Sequence, residues 1–467
     1  MLNTKNVVKI LRILPVLAFL SSCGGDSSST GGVVESKKVG VSDIYVHLSS
    51  DLDKINPIIS TSANASLVER FLFYNLLESD PSTLLLTNVV AESRPTIEEI
   101  EADVFGVKMP GLAITYTIRQ EAVWDDGTPI TAKDYEFAMK VVKNPKVDCE
   151  SLRPYFEFIY DLKIDPNNPK KFILYTKDKY ILSESVSSGY LYPKHLYDKE
   201  GLMDKFTVNE LSNPANLSKL SGDLNIIKFA EMFNSEDYSR NPDFVNGCGP
   251  YKLKEWSTGQ RIILEKKKDW WGEQFVGKEL RFDNYPDRII YEIIVDNTTA
   301  VTAMKDESID IMHYIPSKDF VDLEKNERFN SLFNLHTPIA PSYSYIAFNL
   351  KDPKMADKKV RQAMSMALDY ETIKTVISYG FSERTVGPVH PNKSHYNKDI
   401  PLYPYDLNKA KALLDESGWI DTDGNGVREK TIDGQVVELK LEFLLPAGSE
   451  ASENIALMLK NNLAKLG

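Results

Sequence analysis

The sequence predicts an α/β protein in which strands and helices alternate without an internal repeat. Three observations carry that expectation. Leu112, Ile114, Tyr116 and Ile118 alternate with Ala and Thr residues, the period of a half-buried strand. Thr131 and Asp134 have the spacing of a capping box and open a helix through Met139 and Val142. The run 288–295 is rich in β-formers. Asp296 and Asn297 then cap a short helix, and Ile309-Asp310-Ile311-Met312 follows as the next strand, a β-α-β order.

The elements can be taken in order. Lys5, Lys9 and Arg12 precede an apolar run at 13–20, and Leu20-Ser21-Ser22-Cys23 follows. A basic start, a short apolar core and a small-residue cleavage site make a secretory signal over residues 1–22, too short to span a bilayer. A cysteine directly behind such a site is the bacterial lipobox pattern, so Cys23 is expected to carry the lipid. The Gly/Ser/Thr-rich stretch behind it cannot bury a core, and 23–40 reads as a flexible tether. Further on, Ser66-Leu67-Val68-Glu69 has capping-box spacing, with Leu67, Phe71 and Tyr74 on one helix face. Trp124-Asp125-Asp126-Gly127-Thr128-Pro129 is a turn. Helices are expected from Asp357 through Leu368, from about Tyr370 to Ser378, and from Asp406 to a stop at Gly418. A strand is expected over 437–445, and a closing helix over 452–466.

Composition narrows the function classes. The chain has 467 residues, enough for about three domains on length alone. Its net charge is −12 and it has no long basic block, which argues against a nucleic-acid partner. With Cys23 acylated, Cys149 and Cys248 remain, nearly a hundred residues apart and outside any framework spacing. They are expected to be free thiols rather than a bridge.

No Walker loop, GxSxG, HExxH or paired CxxC occurs, so no catalytic residue and no cofactor is expected. Asp421-Thr422-Asp423-Gly424-Asn425-Gly426 resembles the start of an EF-hand loop, but position 12, where a bidentate glutamate is required, is Ile432. The segment reads as a surface turn. His390 and His395 flank Pro391 without a clustered third ligand, and a metal site is not expected there. Asp125 and Asp126 are neighbours in a turn, a poor geometry for a glycosidase pair. Among the many aromatics, Tyr155 behind Pro154, and Tyr343 and Tyr345 on a strand-like run, are the better candidates for a binding cleft.

Three long stretches also carry a resemblance. TYTIRQEAVWDDGTPITAKDYEFAM, NGCGPYKLKEWSTGQRIILEKKKDWWG and YIAFNLKDPKMADKKVRQAMSMALD are similar, in order and spacing, to segments of the family 5 extracellular solute-binding proteins of ABC importers, the oligopeptide- and dipeptide-binding group. The similarity runs from about Ser42 to the last residue. It implies an α/β, two-lobed periplasmic-binding-protein fold with an extra subdomain inserted in lobe I. On that basis lobe I is expected over 41–342, with the insertion at about 74–200, and lobe II over 343–467. The resemblance further implies capture of a short peptide or other small solute in the cleft by hinge closure. A monomer is expected, delivering the solute to ABC permease subunits in the membrane.

Carried over residue by residue, the resemblance places Thr61, Ala63, Tyr155 and Tyr345 on the cleft, and Ser452 beside a loop that reaches the ligand. Cys248 stands where the family's Gly-x-Gly-Pro-Tyr segment usually has threonine or a similar residue. The peptide binders hold the ligand ammonium with an aspartate late in the chain, and the sequence stops at Gly467 where the family continues with a strand. Lobe II is therefore expected to be incomplete at its C-terminus, with an uncovered sheet edge and a tendency to aggregate. Relatives in the group also bind metal chelates or oligosaccharides.

Overall fold

The structure, a computed structural model, describes residues 42–340, 342–393, 395–445 and 449–467. The expected leader, Cys23 and the expected tether lie outside the described residues. The strands are, in chain order, β1 (Asp43–Leu48), β2 (Leu77–Ser79), β3 (Leu86–Asn88), β4 (Thr96–Val104), β5 (Val107–Thr117), β6 (Ile159–Ile164), β7 (Lys171–Thr176), β8 (Tyr251–Ser257), β9 (Arg261–Lys266), β10 (Arg288–Ile293), β11 (Glu429–Ile432) and β12 (Gln435–Glu438). They form two four-stranded sheets, ordered β1-β10-β9-β8 and β4-β5-β7-β6, and two hairpins, β2-β3 and β11-β12.

The first sheet is mixed, with β1 parallel to β10 and the remaining pairs antiparallel. The second is antiparallel throughout. In β5 the expected alternation holds, with Leu112, Ile114 and Tyr116 all buried. Both sheets contribute to one large core, in which Leu48 and Tyr291 of the first share a cluster with Ile114, Tyr116 and Phe172 of the second. A second core gathers Met355, Val360, Ala363, Leu414, Trp419, Leu459 and Leu466. The closing helix Glu450–Leu463 therefore packs on the second core. The earlier and later parts of the chain touch at an edge-on contact of Phe320 with Phe381, 5.1 Å between ring centres, and where Lys393 Nζ donates to the Leu84 carbonyl.

Close approach explains the Gly247-Cys248-Gly249-Pro250-Tyr251 segment. A Cβ on Gly247 would lie 2.1 Å from the Leu72 carbonyl oxygen, and one on Gly249 would lie 2.4 Å from that of Phe71. Only glycine lets the segment run against the end of the helix Ala63–Leu72. Cys248 between them is buried, and its carbonyl accepts from both Trp270 Nε1 (2.9 Å) and Trp271 Nε1 (3.0 Å). Cys149 and Cys248 are both free and buried, as expected, and burial pushes their thiols up to about 11 and about 12.

Several expected elements differ in the structure. The helix placed at Ser66 begins one turn earlier, at Ala63, with Ser62 as its cap accepting from Ala65 N. Ser66 lies inside the helix and its hydroxyl turns back to the Ser62 carbonyl (3.4 Å). The buried face is accordingly Ala65, Val68, Glu69 and Leu72. Of the strand expected at 309–312, Ile311 forms a single parallel bridge to Val46. The run around Tyr343 and Tyr345 is not a strand, and of 437–445 only the first two residues pair, as the end of β12. Apolar alternation does not make a strand without a neighbour to complete the ladder: 309–312 has one bridge to β1, and among the described residues the run around Tyr343 and Tyr345 and the stretch 439–445 have no ladder. The helix expected over 370–378 is a single α turn, Tyr370–Thr372, continued by a π turn, Ile373–Ile377.

Candidate functional site

The start of the helix Ala63–Leu72 is built by a carboxylate upstream of it. Asp53 accepts from Thr61 N (2.9 Å) and Ser60 Oγ (2.7 Å), which pins the loop that delivers Ser62 to its cap position. Burial would raise the Asp53 carboxyl, but these hydrogen bonds outweigh it and hold the group below the usual carboxylate range. Thr61 and Ala63 are consequently exposed at a fixed helix entrance. Asn56, fully buried, stiffens the preceding turn by accepting from Ile58 N and from the Tyr192 hydroxyl (2.6 Å).

Beside this entrance lies a cavity of about 470 Å³, within the range that holds small ligands. Its wall includes Pro57, Glu69, Arg70, Asn75, Glu78 and Tyr190. Two acceptors in that wall, Glu69 Oε1 and Asn75 Oδ1, are buried and have no hydrogen-bond partner among the described residues. Burial dominates at Glu69 and pushes its carboxyl up to about 8, with the backbone N–H of Asn56 opposing the shift. The group is therefore largely protonated near neutrality and able to donate as well as accept. Glu78 is instead paired with Arg281, whose guanidinium also donates to the Arg70 carbonyl (2.6 Å) and lies 4.1 Å from the Tyr74 ring centre. The wall thus offers unmet acceptors next to a compensated ion pair, which suits a neutral or amide-bearing solute better than a bare ion.

Tyr155 stands elsewhere. It is 56% exposed, on a short 3₁₀ turn, and lines a cavity of about 370 Å³ with Pro154, Glu157, Phe158, Lys177, Asp178 and Tyr180. Tyr345 is 74% exposed and its ring leans on Tyr343, 5.6 Å between centres. Ser452 lies in the first turn of the closing helix, its hydroxyl 2.8 Å from that of Ser449. Neither cavity contains more than one of the five residues singled out in the sequence. Glu69 and Asn75 were missed. The one signal for Glu69 was its place in the apparent capping box, which assigned it to a helix end.

Asp125, Asp126 and His390 each have a partner within the fold. Asp125 pairs with Lys267 Nζ (2.7 Å) and Asp126 with His195 Nε2 (2.7 Å), so the two carboxylates face different partners. His390 Nδ1 accepts from Asn392 N (3.1 Å), and among the described residues neither His390 nor His395 belongs to a potential metal cluster.

This arrangement of a mixed sheet and an antiparallel sheet on a shared core, with a second core following, is the architecture of a two-lobed solute-binding protein. Residues 91–467 match the family described as "Bacterial extracellular solute-binding proteins, family 5 Middle", and the chain belongs to that family. Over its whole length it is 29% identical to the oligopeptide-binding protein AppA of Bacillus subtilis (strain 168), covering 76% of that relative. It is 25% identical to the nickel-binding periplasmic protein of Escherichia coli (strain K12), over 47% of this chain and 40% of that one. Among solved structures, B. subtilis AppA in complex with a nonapeptide superposes with a TM-score of 0.65 at 26% identity, covering 91% of this chain and 73% of that chain. NikZ from Campylobacter jejuni in complex with Ni(L-His) shares the fold, with a TM-score of 0.65 at 23% identity over 91% of this chain and 72% of its own. Among the described residues, no helix is long and apolar enough to cross a membrane.

Proposed function

We propose that the protein captures short peptides and delivers them to an ABC permease. The observation that carries this reading is the similarity, along the whole chain, to an oligopeptide-binding protein whose solved structure holds a nonapeptide. The unmet acceptors Glu69 Oε1 and Asn75 Oδ1 support it, because peptide N–H groups are the donors they lack. Thr61, Ala63, Tyr155, Tyr345 and Ser452 are the proposed ligand-contacting residues, Tyr155 and Tyr345 contributing large exposed rings with one polar tip each. The protein acts by binding, as a monomer, and releases its ligand unchanged. Cys23 is the proposed site of lipid attachment, with residues 1–22 removed as the signal and 23–40 as the tether to the membrane surface.

Calorimetric titration tests the peptide reading. Peptides of three to nine residues with varied side chains are expected to bind with similar affinity, because main-chain groups supply most of the hydrogen bonds. Nickel–histidine and oligosaccharides serve as competing solutes. Heat from one of these, with none from any peptide, would overturn the assignment.

A further inference from the structure

We propose a calcium site in the loop between Trp419 and β11. The loop runs Asp421-Thr422-Asp423-Gly424-Asn425-Gly426-Val427-Arg428 and ends on Glu429. Its ends are joined by an antiparallel bridge, with Ile420 N to the Glu429 carbonyl at 3.1 Å and Glu429 N to the Ile420 carbonyl at 3.0 Å. Closing the loop this way carries the Glu429 side chain back over its start. One carboxylate oxygen from each of Asp421, Asp423 and Glu429 then lies within 4.8 Å of the others.

Glu429 supplies the independent sign of a missing ligand. The residue is 9% exposed, and its Oε1 accepts from Thr422 N (2.6 Å) and from the Thr422 hydroxyl. Its Oε2 is buried without any hydrogen-bond partner among the described residues. A buried carboxylate with one oxygen unmet, gathered with two further carboxylates, is costly unless a cation joins them. The neighbouring cations are engaged elsewhere. Arg428 reaches Asp415 Oδ1 (2.6 Å) and the carbonyls of Trp419 and Leu466, while Lys430 Nζ reaches the Ser417 carbonyl (2.7 Å). Among the described residues, none of the three carboxylates takes part in an ion pair.

The loop backbone is already arranged around Asp421. Its Oδ1 accepts from Gly424 N (2.8 Å) and Asn425 N (3.1 Å), and its Oδ2 from Gly426 N (3.0 Å). Gly424 and Gly426 have φ of 78° and 86°, which turn the chain sharply enough for those bonds. Counting Asp421 as position 1 of a calcium loop, Asp423 and Asn425 fall at positions 3 and 5, and Gly426 at the turn position 6. Glu429 falls at position 9, so the return into β11 presents a glutamate where a helix-flanked loop waits until position 12. An all-oxygen donor set on a glycine-hinged loop favours Ca²⁺. Mg²⁺ demands stricter octahedral geometry, and Zn²⁺ prefers nitrogen or sulfur. The bound ion joins the buried Trp419 of the second core to the β11-β12 hairpin, and through Arg428 to the end of the closing helix.

The test uses the full chain after chelation. Equilibrium dialysis with ⁴⁵CaCl₂ and thermal melts in CaCl₂ or MgCl₂ are the readouts, at ion concentrations of about 0.1–1 mM, the range of extracellular calcium modules. One Ca²⁺ per chain, a melting temperature raised by CaCl₂ and much less by MgCl₂, and severalfold weaker binding in both Glu429→Gln and Asp423→Asn are expected. Asp423 is exposed, so its variant reports on the ion even if the change at Glu429 disturbs folding. Absence of bound ⁴⁵Ca²⁺ in the wild type, undiminished binding in Asp423→Asn, or equal stabilisation by the two ions overturns the proposal.

Discussion

Glu69 shows how one side chain changes meaning with its place in a helix. Read from spacing, it closes a capping box. In the structure it lies mid-helix, 6% exposed, against a cavity, with its carboxyl pushed up to about 8 from an ordinary 4.5. The unfolded chain releases this proton near pH 4.5 and the folded chain near 8, so between those values the folded state holds more protons. Stability therefore falls as pH rises through that window, with a slope of at most roughly 1.4 kcal/mol per pH unit from this one proton. Glu69→Gln should be more stable than wild type at pH 8 and closely matched to it below pH 4.5, as read from urea midpoints at the two pH values. The exposed tyrosines make a separate residue-scale prediction. Tyr155→Ala and Tyr345→Ala should each weaken peptide binding by about 1–2 kcal/mol in calorimetry, while leaving the melting temperature of the unliganded protein unchanged. Spacing shows which residue types are near one another in sequence. It does not fix the register of a helix start, and that register decides which of them are buried.

At the scale of elements, legibility followed whether an element carries its own evidence. The helix Ala132–Lys143 is announced by Thr131 and Asp134, and the structure has Thr131 N donating to Asp134 Oδ2 at 2.8 Å. The helix Leu407–Glu416 begins at the expected Asp406, which accepts from Lys409 N at 3.0 Å. β5 and β10 are legible because each has pairing partners on both sides. The runs near Tyr345 and at 439–445 have similar apolar patterns but no strand ladder among the described residues, and a strand is a property of the pair. Close backbone approach is also hidden from pattern. Gly249→Ala would place a methyl 2.4 Å from the Phe71 carbonyl oxygen and against the Leu72 carbonyl, with only backbone atoms in the way and no flexible side chain to yield. It should cost about 2 kcal/mol or more, seen as a lower urea midpoint with an unchanged slope. The carboxylate loop at 421–429 was half legible. The first six positions can be read from sequence, whereas Glu429 enters only because β11 folds back.

For the whole molecule, the proposed function places the solute between two lobes, and the chain's own features bear on how it is held and where. Cys23→Ser is expected to abolish fatty-acid labelling and to release protein from the membrane fraction, since the thioether carries the proposed attachment. Undiminished labelling would contradict it. The central claim is peptide capture, and it is tested most directly by the melting temperature of the full chain with a mixed pool of short peptides, against nickel–histidine and oligosaccharides in parallel. A solute that binds only the folded state and is present at about a hundred times its dissociation constant stabilises that state by about 2.7 kcal/mol. The account predicts a clear upward shift with peptides and none with the other two. A shift with nickel–histidine or an oligosaccharide, and none with any peptide, would contradict it.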